Sequence, residues 1–148
     1  MYGKVPFDWV MFANSFTIYH HPSDVPDFMD QLHSDGVGII NSAVFNAGFL
    51  TGGKYFDYRL VNANNPDDRL LFEWREKFFK ICNRFSIDPG EACLKFAISA
   101  PQINSVALNT SKTQRMRKNK QVLKNEFPEA FWKELKISNI LNRDYPYL

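Results

Sequence analysis

Cysteine is scarce in this sequence. Cys82 and Cys93 are the only two among 148 residues, and their spacing fits neither a CxxC metal or redox motif nor a disulfide framework. A reducing compartment, the cytoplasm, is therefore expected. An excess of one charge is missing too: 18 Lys plus Arg against 16 Asp plus Glu leave a formal net charge of +2, which points neither toward nucleic acid nor away from it. There is no internal repeat, low-complexity tract or interdomain linker. Asp8 interrupts the apolar start and no small-residue cleavage site follows, so no signal peptide is expected. Residues 36–53 carry no charge over a length that spans a bilayer, but five glycines with Asn41, Ser42, Asn46 and Thr51 make a poor membrane helix, and no membrane partner is expected. What the chain does have is 45% hydrophobic positions, 16% aromatic and 14 Phe, enough for one globular domain with many rings to cover.

The apolar pattern alternates between strand and helix. Residues 8–13 form a short continuous apolar run rich in strand formers, the signature of a strand buried on both faces. Pro22-Ser23-Asp24 starts a helix whose stripe is Val25, Phe28, Met29, Leu32 and His33, and Ser34-Asp35-Gly36 ends it. Residues 37–43 read as a second buried strand, followed by a long loop over 44–65 of the kind that carries function. From Pro66 a helix presents Leu71, Trp74, Phe78, Ile81, Cys82 and Phe85 on one face, with Asp67 and Asp68 in its first turn. Asp88-Pro89-Gly90-Glu91 restarts a helix by a capping pattern, and Pro101 follows it. Residues 103–108 read as a third strand. Thr110 or Ser111 caps a helix to about Leu123, and Pro128 opens a last one with Phe131, Trp132 and Leu135 buried. This order predicts an α/β fold with a parallel sheet and right-handed crossovers. Three strands are few, and the edges at 8–13 and 103–108 are expected to stay open, so a homo-oligomer or a partner chain is expected to cover them.

Two segments carry a family resemblance. GVGIINSAVFNAGFLTGG at 36–53 resembles the seventh-strand segment of aldo-keto reductases. SVALNTSKTQRMRKN at 105–119 resembles that family's eighth strand and the helix start that grips the adenosine end of NAD(P). AVFNAGFLTGG followed by YFDYR, and the ending PEAFWKELKISNIL, are similar to the sugar-oxidising branch of D-threo-aldose (L-fucose, galactose) 1-dehydrogenases. The resemblance implies a single domain over 1–148 that is a partial (β/α)8 TIM barrel: strands six to eight with their helices and a C-terminal helix. It implies an NAD(P)-dependent oxidoreductase acting on an aldose. The family's catalytic Tyr, Lys, Asp and His belong to the first four to five strands, so no catalytic residue is expected here, and no activity of the chain alone. The alternative is a non-catalytic remnant or structural half-barrel.

By family position, Ser42 stands beside the nicotinamide, and Phe45, Asn46 and Gly48 form the turn near the pyrophosphate, the glycine allowing close backbone approach. Asn46 and Gly48 making a turn and nothing more is an equal reading. The family's carboxamide-binding glutamine is replaced, Ala13 being the closest position with Asn14 beside it. Asn109, Thr110 and Ser111 lead into the helix, Arg115 meets the adenosine 2′-phosphate or the adenine face, and Asn119 the adenine. Lys112, Arg115, Arg117, Lys118, Lys120 and Lys124, with no acid among 112–124, favour NADP over NAD. Only one side of a helix can face a ligand, so most of these positions are expected on a solvated face. No aromatic interleaves them and no helix-turn-helix or zinc motif accompanies them, so no nucleic-acid partner is expected. No metal is expected: His20-His21 reads as a surface turn, His33 as a packed histidine, and Cys82 and Cys93 as inert packing groups. Tyr55, Tyr58 and Arg59 either help cover the cofactor or sugar or pack within their loop.

Overall fold

A computed structural model describes residues 5–110 and 113–148. In chain order its elements are β1 (Trp9–Ala13), α1 (Asp24–Ser34), β2 (Gly38–Ser42), β3 (Tyr55–Phe56), β4 (Arg59–Leu60), α2 (Arg69–Arg84), α3 (Pro89–Ala97), β5 (Ser105–Ala107), α4 (Thr113–Val122) and α5 (Glu129–Ile137). β1, β2 and β5 form a parallel sheet in the order β1-β2-β5, with Trp9 beside Gly38 through Ala13 beside Ser42, and Ile40 beside Ser105. The strand reading of 8–13, 37–43 and 103–108 holds in position, and the middle strand is the second one in sequence.

The two faces of this sheet differ. On the helix side Phe12, Ile39 and Asn41 are buried, and the Asn41 amide donates to Phe16 O and Ala97 O, both at 3.0 Å, tying β2 to the end of α3. On the other side Trp9 is 58% exposed and Met11 56%. The first run was expected to be buried on both faces. Among the described residues the helices cover only one, and the face that carries Trp9 and Met11 stays open. Gly38 sits under the Trp9 indole: an added Cβ would stand 2.3 Å from Trp9 Cε3, so the ring lies flat on the sheet only because residue 38 lacks one.

The helices form where the periodicity predicts. α1 buries Met29 and Leu32, but His33, expected to be packed, is exposed; with Phe28 it marks the edge of the stripe rather than its centre. α2 buries Leu71, Phe78, Ile81 and Cys82, and is entered through a 3-10 turn at Pro66–Asp68 in which the Asn65 side chain accepts from Asp67 N. Asp68 is buried there against Arg59, Nη2 to Oδ1 2.6 Å, and accepts from Asn62 N; the Arg59 guanidinium holds its carboxyl below the ordinary range. α3 starts as expected, Asp88 accepting from Gly90 N and Glu91 N with Pro89 at its first position.

His21 was read as part of a surface turn. Instead it is half-buried, with ring centroids 5.1 Å from Phe96 and 5.9 Å from Tyr145. Asn142 N donates to its Nε2 at 3.0 Å, which puts the ring proton on Nδ1, facing Thr17 O at 3.2 Å. The ring thereby joins the turn after β1 to the segment after α5, where Tyr145 is buried and its hydroxyl meets Ser99 Oγ. The stretch 44–65, expected as a long loop, contains a 3-10 turn at Phe49–Thr51 and the antiparallel β3–β4 hairpin.

Candidate functional site

The carboxyl ends of β1, β2 and β5 open onto one region. The chain leaves β2 through a sharp bend: Ala43, Asn46 and Ala47 have φ of 54°, 45° and 56°, and Gly48 has φ of 91°. The space a Gly48 side chain would take holds no atom within 4 Å, so a ligand can approach the backbone there. Arg75, on α2, fixes the far side of this bend: its guanidinium lies 4.2 Å from the Phe49 ring centroid and donates to Gly53 O at 3.0 Å.

Two clefts meet at the bend. The strand-mouth cleft, about 510 Å3, is lined by Met11 and Ala13 from β1, Ser42 from β2, Ala107 from β5, and Tyr58 from the hairpin. The helix cleft, also about 510 Å3, lies between the bend and the starts of α3 and α4. Gly48, Asp88, Glu91, Thr110, Arg115, Lys118 and Asn119 line it. Phe45, Ala47, Leu108 and Asn109 line both clefts, so the two adjoin and together make up a trough around the bend. Parallel α/β sheets take ligands at the carboxyl ends of their strands.

The structure thus brings Ser42, Phe45, Gly48, Asn109, Thr110, Arg115 and Asn119 onto one trough. Ser42 Oγ donates to Phe12 O at 3.1 Å, so its hydroxyl is engaged with the sheet. Ala13 lines the mouth. Asn46 lines neither cleft: it is buried, and its Nδ2 donates to Asp57 Oδ1 at 3.1 Å, anchoring the hairpin tip. Ser111 lies outside the described residues.

The basic run divides. Arg115 and Lys118 line the helix cleft, whereas Lys120 lines a neighbouring groove between α3, β5 and α4, which shares Leu108 and Asn119 with it. Lys118 Nζ stands 3.2 Å from Glu91 Oε1 and 3.7 Å from Asp88 Oδ2. The hydrogen bond to Glu91, chiefly, holds the Lys118 ammonium above its ordinary pKa. Two acids therefore balance two bases in a cleft whose sequence pattern implied strong positive charge. Among the described residues only Arg115 of these four groups is without an ion-pair partner. Asp88 and Glu91 were legible only as a helix start; that they form a wall of the cleft depends on α3 and α4 meeting across the fold.

No group of three or more metal-ligating side chains occurs among the described residues. Cys82 and Cys93 are buried and unpaired, and burial pushes the Cys82 thiol up to about 12, consistent with packing groups. No described helix is long and apolar enough to cross a membrane. A parallel three-stranded sheet with helices on one face and a trough at the strand carboxyl ends defines the class, an α/β fold consistent with part of a (β/α)8 barrel. The aldo/keto reductase family model matches residues 3–140. The chain belongs to the aldo/keto reductase family, whose members are NAD(P)-dependent oxidoreductases. No curated protein matches it.

Proposed function

We propose that the chain is the cofactor-holding C-terminal part of an aldo-keto reductase barrel, its strands corresponding to the sixth to eighth, and that the trough holds NAD(P) lengthwise. The observation that carries this reading is that the two clefts adjoin, sharing Phe45 and Asn109 in their linings. The donor set fits the group: Gly48 lets a pyrophosphate approach the backbone, Arg115 offers an unpaired two-pronged donor to a phosphate, and Asn119 and Thr110 supply polar contacts at the adenosine end. Ser42, with its hydroxyl turned to the sheet, leaves room at the nicotinamide end.

When bound, the cofactor supplies hydride acceptance. This chain's residues bind and orient it; among the described residues lining the mouth cleft Tyr58 is the only titratable side chain, with no carboxylate, Lys or His to relay a proton to or from it. Oxidation of an aldose such as L-fucose at its anomeric carbon thus requires groups from elsewhere, and the purified chain is expected to turn over neither L-fucose nor D-arabinose. The test is a tryptophan-fluorescence titration with NAD+ and NADP+: saturable quenching that Arg115→Ala weakens at least tenfold supports the reading, and no saturable binding of either refutes it. The unpaired buried cysteines suit the proposed cytoplasmic setting.

A second reading, a structural half that associates with a copy of itself or a partner chain, is favoured by the exposed Trp9 and Met11 on the open sheet face. A sedimentation profile that stays monomeric at micromolar concentration counts against it.

A further inference from the structure

The hairpin tip does not follow its own turn chemistry. β3 and β4 are joined by two residues, Asp57 and Tyr58, both with positive φ, 47° and 67°. That is the type I′ pattern, in which Asn-Gly or Asp-Gly is usual because a side chain with a bulky Cβ substituent is strained at positive φ. Asp57 tolerates the position and is held there by the buried Asn46. Tyr58 obtains no packing in return: it is 83% exposed, the most open of the large hydrophobic side chains. Yet it lines the strand-mouth cleft together with Met11, Ala13 and Ser42. The Asn46–Asp57 bond holds the turn in this conformation, and strained residues of this kind cluster at ligand sites.

We infer that Tyr58 is a positioning residue of the proposed cofactor site: its ring closes over the flat pyridinium of an oxidised nicotinamide nucleotide in the strand-mouth cleft. Three facts support this choice of ligand end. The side chain facing the cleft from β2 is Ser42, which has no ring to offer. An aromatic face attracts a positively charged planar ring both by stacking and through its quadrupole. Among the described lining residues of this cleft no Lys or Arg competes for that face. The inference rests on the cofactor reading above, but it concerns one end of the trough only, and the two ends can be probed separately.

The experiment measures binding of ADP and of nicotinamide mononucleotide, oxidised and reduced, to the wild-type chain, Tyr58→Gly and Tyr58→Phe, with thermal unfolding alongside. Tyr58→Gly relieves the turn and raises Tm, weakens the oxidised mononucleotide at least fivefold, and leaves ADP within twofold. Tyr58→Phe keeps the ring and restores mononucleotide binding, and the wild type favours the oxidised over the reduced form. Unchanged mononucleotide binding in Tyr58→Gly, or equal losses for ADP and mononucleotide, overturns the role of Tyr58 while ADP binding still supports the cofactor site. Failure of the wild type to bind either fragment overturns both.

Discussion

Lys118 and Glu91 face each other across the cleft between α3 and α4, Nζ to Oε1 3.2 Å, and Asp88 stands on the same ammonium at 3.7 Å. A helix rich in Lys and Arg thus meets a wall that cancels one of its cations, and Arg115 is left as the lining cation with no ion-pair partner. Charge counted along a helix overstates the charge a ligand meets when an acidic cap lies opposite.

Glu91→Gln should therefore raise the affinity for NADP+ by about fivefold, on the order of 1 kcal/mol, with a smaller gain for NAD+. The added phosphate of NADP+ is the group that gains from a Lys118 left with Asp88 as its one acidic partner. Paired titrations at low and at 0.5 M salt check it, since the gain shrinks as the charges are screened.

His21 makes the fold sensitive to acid. Burial, the largest influence, holds its pKa below the ordinary 6.5, and Asn142 N donates to the nitrogen that a second proton would occupy. The unfolded chain takes up that proton near pH 6.5 while the folded one resists, so stability is constant above this value and falls as the pH drops through it toward the lower folded pKa. Urea unfolding at pH 7.5 and 5.5 should show a lower midpoint at 5.5, and His21→Phe, which keeps a ring against Phe96 and Tyr145, should flatten the difference.

Gly38→Ala should cost about 1–3 kcal/mol, the range for forcing a group into a filled site. The new methyl meets the Trp9 ring itself and not the end of a pliable chain. The indole must swing off the sheet, and a red-shifted Trp9 emission, isolated in a chain with Trp74 and Trp132 replaced by Phe, reports it.

Arg75→Lys should behave as a disruptive change. A lysine cannot donate to both Gly53 O and Phe49 O while lying over the Phe49 and Phe72 rings. We expect a loss of about 1–2 kcal/mol in urea unfolding together with weaker cofactor binding, because the bend at 43–53 loses its anchor.

The sheet and the helices were legible because each rests on a short-range pattern: unbroken apolar runs at Trp9–Ala13 and Gly38–Ser42, a 3.6-residue stripe through Leu71, Phe78 and Cys82, and an Asp88-Pro89 cap. The hairpin was hidden because Asp57-Tyr58 lacks the glycine that marks such a turn. Exchange of roles between His21 and His33 has a different cause. Sequence offers His33 an apolar stripe, but it sits at the stripe's edge, whereas His21 acquires its apolar shell from Phe96 and Tyr145, far along the chain. Most of the trough residues came from two local segments and were readable as such. Asp88, Glu91 and the anchoring role of Asn46 were not, since each depends on a partner brought in by the fold.

A single elongated ligand lying along the trough contacts both clefts at once. Amide hydrogen exchange with and without saturating NAD+ or NADP+ addresses that directly, by reporting on both clefts at once. We predict slowed exchange in residues 44–48 after β2 and in 108–119 at the start of α4, each reduced by Arg115→Ala. Protection confined to one of the two segments, or none in either, would contradict it.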